Sequence, residues 1–298
     1  VTQASDRAFL VFNPLPYPRA EIVEVKLWNT SLDEARLVVT GEQVHPQCVQ
    51  VLEKGRYWGH DYMTVAFPVQ VPALGYRVIC VSDRLAELGL VDDTSLGDPW
   101  AGMGGAARKH TPQDYTMENA FLKVVLDPAS GGLVSLVDKR TGREWVPEGG
   151  LMGVLQYCVE AYVGMSAWVI GPFLTREDLV DGGLLKKIHD GPYVQTFRWT
   201  RRLHQQTPGY PGNETLLELD ITVRQGVPRV DFRLRVDWRE MGHPEYGVPH
   251  LKVRFPLALE DPRPIYEIPY GAIARDLSEG LEAGAAEEVP AQRWVDVS

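Results

Sequence analysis

Apolar and polar residues alternate along much of the chain with a period of two. The clearest example covers residues 216–237, where two alternating runs are separated by Gly226 and Pro228. This period is that of a β-strand with one buried face and one solvent face. The sequence therefore predicts a hairpin in which eight apolar side chains line one buried face: Leu217, Leu219, Ile221, Val223, Val230, Phe232, Leu234 and Val236.

The same alternation recurs in "EIVEVKLW" (residues 21–28) and "HLKVRFPL" (residues 250–257). Helical periodicity is weak and short by comparison. The 28 glycines and 22 prolines are spread along the chain, which favours frequent turns between short strands. These patterns together predict an all-β protein.

One stretch interrupts the strand pattern and suggests a domain boundary. Residues 94–114 contain no alternating apolar run and are rich in glycine, proline and small polar residues. We therefore predict a small β-sandwich over residues 1–85, a linker over 86–112, and a larger β domain over 113–298.

Composition and charge limit the partners. The 298 residues include 30 lysines and arginines against 40 acidic residues, a net charge of −10. This balance argues against a nucleic-acid partner and against an anionic membrane surface, since both require clustered basic residues. No apolar run approaches the ~18 residues needed to span a bilayer, and no signal peptide opens the chain. The missing initiator methionine suggests a piece of a longer protein.

Cysteine and histidine positions bear on compartment and metal binding. Cys48, Cys80 and Cys158 are few and widely spaced, which favours a reducing, cytoplasmic compartment. The seven histidines show no HExxH or other short ligand spacing, so the sequence predicts no metal site in this chain. "GMGGAA" (residues 102–107) loosely matches a dinucleotide fingerprint, but it lies in the predicted linker and lacks the flanking strand and helix.

Carboxylates and aromatic residues give further candidates. "DWRE" (residues 237–240) offers an acidic pair at a strand end, although a solvated strand end is the favoured interpretation. Tryptophans can stack on sugar rings when exposed but are more often buried in a large sandwich. Those of the larger domain are Trp145, Trp168, Trp199, Trp238 and Trp294. The residues alone identify no active site.

Several segments resemble glycoside hydrolase family 38, the α-mannosidases. "ENAFLKVVLDPASGGLVSLVDKRTGREWV" (residues 118–146) is similar to the start of that family's large β domain. Further similar segments occur in the same order as in the family: "VFNPLPYPR" (11–19), "VPALGYRVICV" (71–81), "RVDFRLRVDWRE" (229–240), "HLKVRFPL" (250–257), "YEIPYGAIAR" (266–275) and "VPAQRWVDVS" (289–298). The resemblance covers nearly the whole chain.

The resemblance implies a small β-sandwich followed by a supersandwich of the galactose mutarotase-like kind. It also implies a parent retaining glycosidase whose nucleophile, proton donor and zinc-like divalent metal belong to an N-terminal catalytic domain. No segment of this chain resembles that domain. We therefore expect the chain alone to be inactive and to hold no cofactor. Its expected partners are its own catalytic domain and a mannoside, and the oligomeric state, including a homo-oligomer, stays open.

Two segments depart from the family pattern near the expected sugar cleft. "SAWVI" (residues 166–170) lacks the acidic neighbours usual around the tryptophan, and "DLSEG" (276–280) replaces a Pro-Thr-His run. The resemblance implies that Trp168 and Arg275 lie at the cleft edge, the first as a flat face for a pyranose and the second as a fork of donors. The alternatives are a core tryptophan and a loop ion pair.

Two other functions remain open from the sequence. One is a stand-alone carbohydrate-binding module that uses tryptophan and tyrosine side chains. The other is a mutarotase-like sugar enzyme, which needs a histidine base and a carboxylate in one pocket.

Overall fold

The computed structural model describes residues 6–33, 37–41, 44–83, 114–164, 171–204, 214–275 and 289–298. The regular secondary structure in these ranges is β-strand, and no helix occurs among them. The all-β prediction is therefore confirmed. Within the described ranges, no helix is long and apolar enough to cross a membrane.

Seven strands form two sheets before residue 84. The strands are β1 (Arg7–Asn13), β2 (Arg19–Trp28), β3 (Val38–Gly41), β4 (Val44–Cys48), β5 (Gln50–Tyr57), β6 (His60–Val71) and β7 (Gly75–Ser82). One sheet has the order β1-β7-β3-β4 and the other β2-β6-β5. The inward side chains of both sheets, among them Leu27, Phe67 and Ile79, share one core, as in a β-sandwich.

Fourteen strands follow in the described residues after 113. They are β8 (Thr116–Glu118), β9 (Leu122–Leu126), β10 (Leu133–Asp138), β11 (Arg143–Glu144), β12 (Val154–Glu160), β13 (Phe173–Asp178), β14 (Leu184–Asp190), β15 (Val194–His204), β16 (Glu214–Arg224), β17 (Val230–Asp237), β18 (Val248–Arg254), β19 (Pro264–Ile268), β20 (Gly271–Ala274) and β21 (Val295–Val297). The sheet orders are β11-β10-β9-β8, β13-β12-β18, β14-β15-β16-β17 and β20-β19-β21.

A second core serves this larger region, separate from the core of the sandwich. It includes Leu133, Leu155, Trp199 and Leu219, which are fully buried or nearly so. The predicted linker, residues 86–112, lies outside the described residues, so the boundaries stay a prediction.

The hairpin of β16 and β17 follows the predicted register but not the predicted burial. Leu217, Leu219, Ile221 and Val223 of β16 are buried, whereas the apolar residues of the edge strand β17 are half-buried and Val236 is exposed. The prediction of one buried face for all eight residues is therefore wrong for β17. An edge strand has neighbours on one side only, which explains its lower burial.

Part of the predicted solvent face of β16 is also buried. Asp220 and Thr222 are each less than a tenth exposed. Asp220 accepts hydrogen bonds from Arg198 Nε at 2.6 Å and from Arg235 Nη1 at 2.9 Å. Burial acts to raise the pKa of Asp220, but the two guanidinium groups together outweigh burial and hold this pKa below its usual value. Thr222 pairs with Thr196 at 2.9 Å. Cross-strand partners therefore allow polar groups to be buried on this face.

Side chains of β5 join the sandwich to the larger region. Gln50 Oε1 accepts hydrogen bonds from the backbone amides of Tyr193 and Val194 at 3.0 and 2.9 Å, and Gln50 Nε2 donates to the Val194 carbonyl at 2.8 Å. Ile22 and Ala66 pack against the same two residues in a small buried cluster. We call this contact the junction.

His189 completes the junction in a neutral form. Its Nε2 lies 3.1 Å from the Leu52 carbonyl, which can only accept, so Nε2 carries the proton. Its buried Nδ1 has no hydrogen-bond partner among the described residues. Burial lowers the pKa of His189, while the nearby carboxylates of Glu24 and Asp220 oppose the shift and Arg198 adds to it.

We expect His189 to destabilise the fold as the pH falls through about 6.5, the pKa of an unfolded histidine. The unfolded chain takes up a proton there that the folded chain resists, so stability is retained above this pH and lost below it. Urea unfolding at a series of pH values should show a smaller loss for His189→Gln than for the unmodified chain. Equal losses would show that His189 titrates freely in the folded state.

Candidate functional site

The small sheet β20-β19-β21, which we call the terminal sheet, carries the predicted site residue Arg275. An ion pair holds this sheet together: the Arg293 backbone amide donates to Glu267 Oε2 at 2.7 Å, and Arg293 Nε donates to Glu267 Oε1 at 3.0 Å. These hydrogen bonds hold the pKa of the Glu267 carboxyl below its usual value. Glu267 is buried, so this ion pair fixes strand β19 against the segment that enters β21.

Arg275 lies directly after β20 and is half-buried. Its guanidinium carbon is 4.9 Å from the centre of the Tyr266 ring, and its Nη1 donates to the Pro290 carbonyl at 2.8 Å. These two contacts fix the guanidinium while leaving further donors for another group. Trp168 lies outside the described residues, so the cleft-edge role of Trp168 and Arg275 stays a prediction.

Tyr270 is a further candidate that the sequence analysis missed. Ile268 pairs with Gly271, so Pro269 and Tyr270 form the two-residue turn between β19 and β20. Tyr270 has φ +66° and its ring is fully exposed. Glycine or asparagine is usual at such a turn position because a side chain there is strained. A ring that is exposed and held at a strained position favours a role in contacting a group other than the described residues. The signal in the sequence is "IPYG".

The exposure of the tryptophans separates the candidates in the larger domain. Trp199 is fully buried, Trp145 and Trp238 are half-buried, and Trp294 is 44% exposed. Trp294 precedes β21, so the terminal sheet also presents an aromatic residue to solvent, together with Ile273. Of the described tryptophans in this domain, Trp294 is therefore the one best placed to contact a ligand.

The "DWRE" segment is a solvated strand end only in part. Asp237 and Arg239 are exposed, but Glu240 is buried and accepts a hydrogen bond from the Tyr157 hydroxyl at 3.4 Å. The favoured interpretation was therefore wrong for Glu240. The neighbouring Trp238 ring stacks on Tyr157 at 6.3 Å between centres, and these contacts anchor the end of β17.

The described residues bring no three histidine, cysteine or acidic side chains into an arrangement that could hold a metal ion.

Comparisons with known proteins identify the family to which this chain belongs. The pattern of the glycosyl hydrolases family 38 C-terminal domain matches residues 117–298. Alpha-mannosidase 2C1 of Mus musculus is 29% identical over 194 residues, which are 64% of this chain and 17% of that protein. Alpha-mannosidase G of Dictyostelium discoideum is 27% identical over 188 residues, 62% of this chain and 16% of that protein. The matches thus span less than a fifth of either relative, and the chain belongs to glycosyl hydrolases family 38, with residues 117–298 forming its C-terminal domain.

Proposed function

We propose that this chain is the β-sandwich region of an α-mannosidase-like retaining glycoside hydrolase, in which it braces the catalytic domain and contributes residues to the cleft edge. The family match to a C-terminal domain carries the proposal, and the names of the two relatives support the substrate class. The acid, the nucleophile and the metal implied by the resemblance would belong to the catalytic domain. A cytoplasmic location is part of the same proposal.

An uncovered apolar face supports the bracing role. Leu10 pairs with Val78, and Phe12 pairs with Tyr76, on the outer side of the β1-β7-β3-β4 sheet. We call these four residues the apolar face. Each side chain is at least half exposed, and the rings of Phe12 and Tyr76 are 5.7 Å apart. Strands that are apolar on both sides are typical of sheets covered on both sides. A contiguous exposed apolar patch favours a protein contact.

The terminal sheet supports the cleft-edge role. Tyr270 presents a flat ring at the tip of its hairpin, and Arg275 presents donors beside the same strand pair. Aromatic faces and planar guanidinium groups suit the apolar faces and hydroxyls of a pyranose. We assign the two residues to positioning the sugar rather than to the chemical step.

One experiment tests both roles with the full-length polypeptide and with this chain by itself. We expect Val78→Lys to lower the melting temperature of the full-length enzyme but not that of the chain, because Val78 is exposed here. We expect Tyr270→Asn to lower kcat/KM for an aryl α-mannoside about fivefold or more, equal to about 1 kcal/mol, without a loss of stability. Leu184→Lys, at an exposed leucine of β14, is the control for Val78→Lys.

Three results would contradict the proposal. Turnover of the mannoside by the chain alone, persisting in a chelator, would reveal an active site within it. Equal effects of Val78→Lys and Leu184→Lys would remove the bracing role. Unchanged kcat/KM in Tyr270→Asn and in Arg275→Lys would remove the cleft-edge role.

A further inference from the structure

A second group of aromatic residues, three of them exposed and Tyr62 half-buried, lies at one end of the sandwich, away from the apolar face. Trp28 of β2 pairs with Tyr62 of β6, and their ring centres are 5.3 Å apart. Tyr57 and Trp58 follow at the adjoining β5–β6 hairpin, with ring centres 6.3 Å apart. We call these four residues the aromatic tip. Trp58 is 86% exposed.

The backbone at Trp58 is strained. Tyr57 pairs with His60, so Trp58 and Gly59 form a two-residue turn with φ +49° and +82°. A turn with positive φ at both positions favours Asn-Gly, and a bulky side chain at the first position is unfavourable. The ring gains no burial in return. The strain at Trp58 is therefore not compensated by burial of its own ring, and what sets Trp58 apart from other strained positions is its exposed aromatic ring.

Polar groups surround the aromatic tip. The Lys26 ammonium lies 3.9 Å from the centre of the Tyr62 ring, and the Tyr62 hydroxyl donates to Glu53 at 2.7 Å. On the hairpin side, Asn29 Nδ2 lies 2.9 Å from His60 Nδ1. These exposed groups supply hydrogen-bond donors and acceptors next to aromatic rings.

The aromatic tip and the apolar face differ in chemistry, and the difference indicates their occupants. The apolar face combines aliphatic and aromatic side chains, as protein interfaces do. The large apolar side chains exposed at the tip are all aromatic, and their neighbours are charged or amide groups. A pyranose matches the tip because its apolar C–H face can lie on a ring while its hydroxyls reach polar groups at the edge.

We propose that the aromatic tip binds a mannose oligosaccharide, with Trp58 as its main contact. This site lies on the sandwich rather than on the terminal sheet that carries Tyr270 and Arg275. It would hold a part of the glycan that is not being cleaved. The choice of mannose rests on the proposed function, whereas the position of the site rests on the exposed and strained Trp58.

The test measures binding of α-1,6-linked mannotriose to the purified chain by calorimetry, together with thermal unfolding and sedimentation. We expect Trp58→Asn to weaken binding about tenfold or more, equal to about 1.4 kcal/mol, and to raise the melting temperature because asparagine tolerates positive φ. Trp58→Tyr should retain part of the binding.

The matched control is Leu74→Asn in the same sandwich. Leu74 is 74% exposed with φ +47°, so this change relieves similar strain without removing an aromatic ring. It should raise the melting temperature and leave mannotriose binding unchanged.

The proposal fails if the chain does not bind mannotriose, if Trp58→Asn and Leu74→Asn have equal effects on binding, or if Trp58→Asn lowers the melting temperature. It also fails if the chain is dimeric and Trp58→Asn makes it monomeric, since the tip would then be a protein interface. None of these results depends on catalysis. The binding site can therefore be refuted while the proposed function stands, and the proposed function can be refuted while Trp58 still binds the oligosaccharide.

Discussion

Trp199→Ala is expected to lower the free energy of unfolding by about 3–5 kcal/mol, the range for removing a large buried aromatic side chain. Trp199 is fully buried in the core of the larger region, and its Nε1 donates to the Ala129 carbonyl at 2.8 Å. The substitution leaves a cavity and also removes the hydrogen bond to the Ala129 carbonyl. Urea unfolding of the two proteins provides the measurement.

Two glycines make this site hard to repack. A Cβ on Gly183 would lie 1.8 Å from Trp199 Nε1, and one on Gly131 would lie 2.7 Å from Trp199 Cγ. Gly131 also has φ +70°. The backbone of both glycines lies close to the indole. Neither glycine has a side chain that could move into the space left by alanine.

Trp294→Ala is the control because Trp294 is an exposed tryptophan of the same region. Its effect should stay within about 0.5 kcal/mol, as for other surface changes. A similar loss of stability in both variants would show that Trp199 is not a central part of the core.

Gln50→Ala is expected to separate the unfolding of the sandwich from that of the larger region. It removes the acceptor of the Tyr193 and Val194 amides, and both residues are buried. Each buried group left unsatisfied costs about 1–3 kcal/mol. Gly191 still donates to the Val194 carbonyl at 3.2 Å, so the main loss falls on the two amides. Calorimetry should show one transition for the unmodified chain and two for the variant.

Gln47→Ala is the matched control for the junction. Gln47 Nε2 donates to the Pro68 carbonyl at 2.6 Å, a bond between two residues of the sandwich itself. Its loss should cost about 1 kcal/mol and leave a single transition. Two transitions in both variants, or in neither, would contradict the assignment of Gln50 to the junction.

Local periodicity predicted the strands well, because alternation depends on neighbours along the chain. It failed at Asp220 and Thr222, where burial depends on hydrogen-bond partners from neighbouring strands. The junction shows the same limit: Gln50 and Val194 are 144 positions apart, and no local pattern links them. Contacts of this range are set by packing, which single-sequence patterns do not encode.

The candidate site was only partly predictable. The family resemblance led to Arg275, whose surroundings the structure describes. Tyr270 and Trp58 escaped notice because their exposure and their place in a two-residue turn follow from strand pairing, which the sequence alone does not give. A rule that compares each turn residue with its preferred φ would have found both, since tyrosine and tryptophan are unusual at these turn positions.

The strength of a protein contact made through the apolar face should depend on temperature more than on salt. Leu10, Phe12, Tyr76 and Val78 carry no ionic groups, so a contact made through them changes little when salt is added. Apolar association weakens on cooling, because its driving force at ordinary temperatures is the release of ordered water. An enzyme held together at this face would therefore come apart more readily on ice than in concentrated salt.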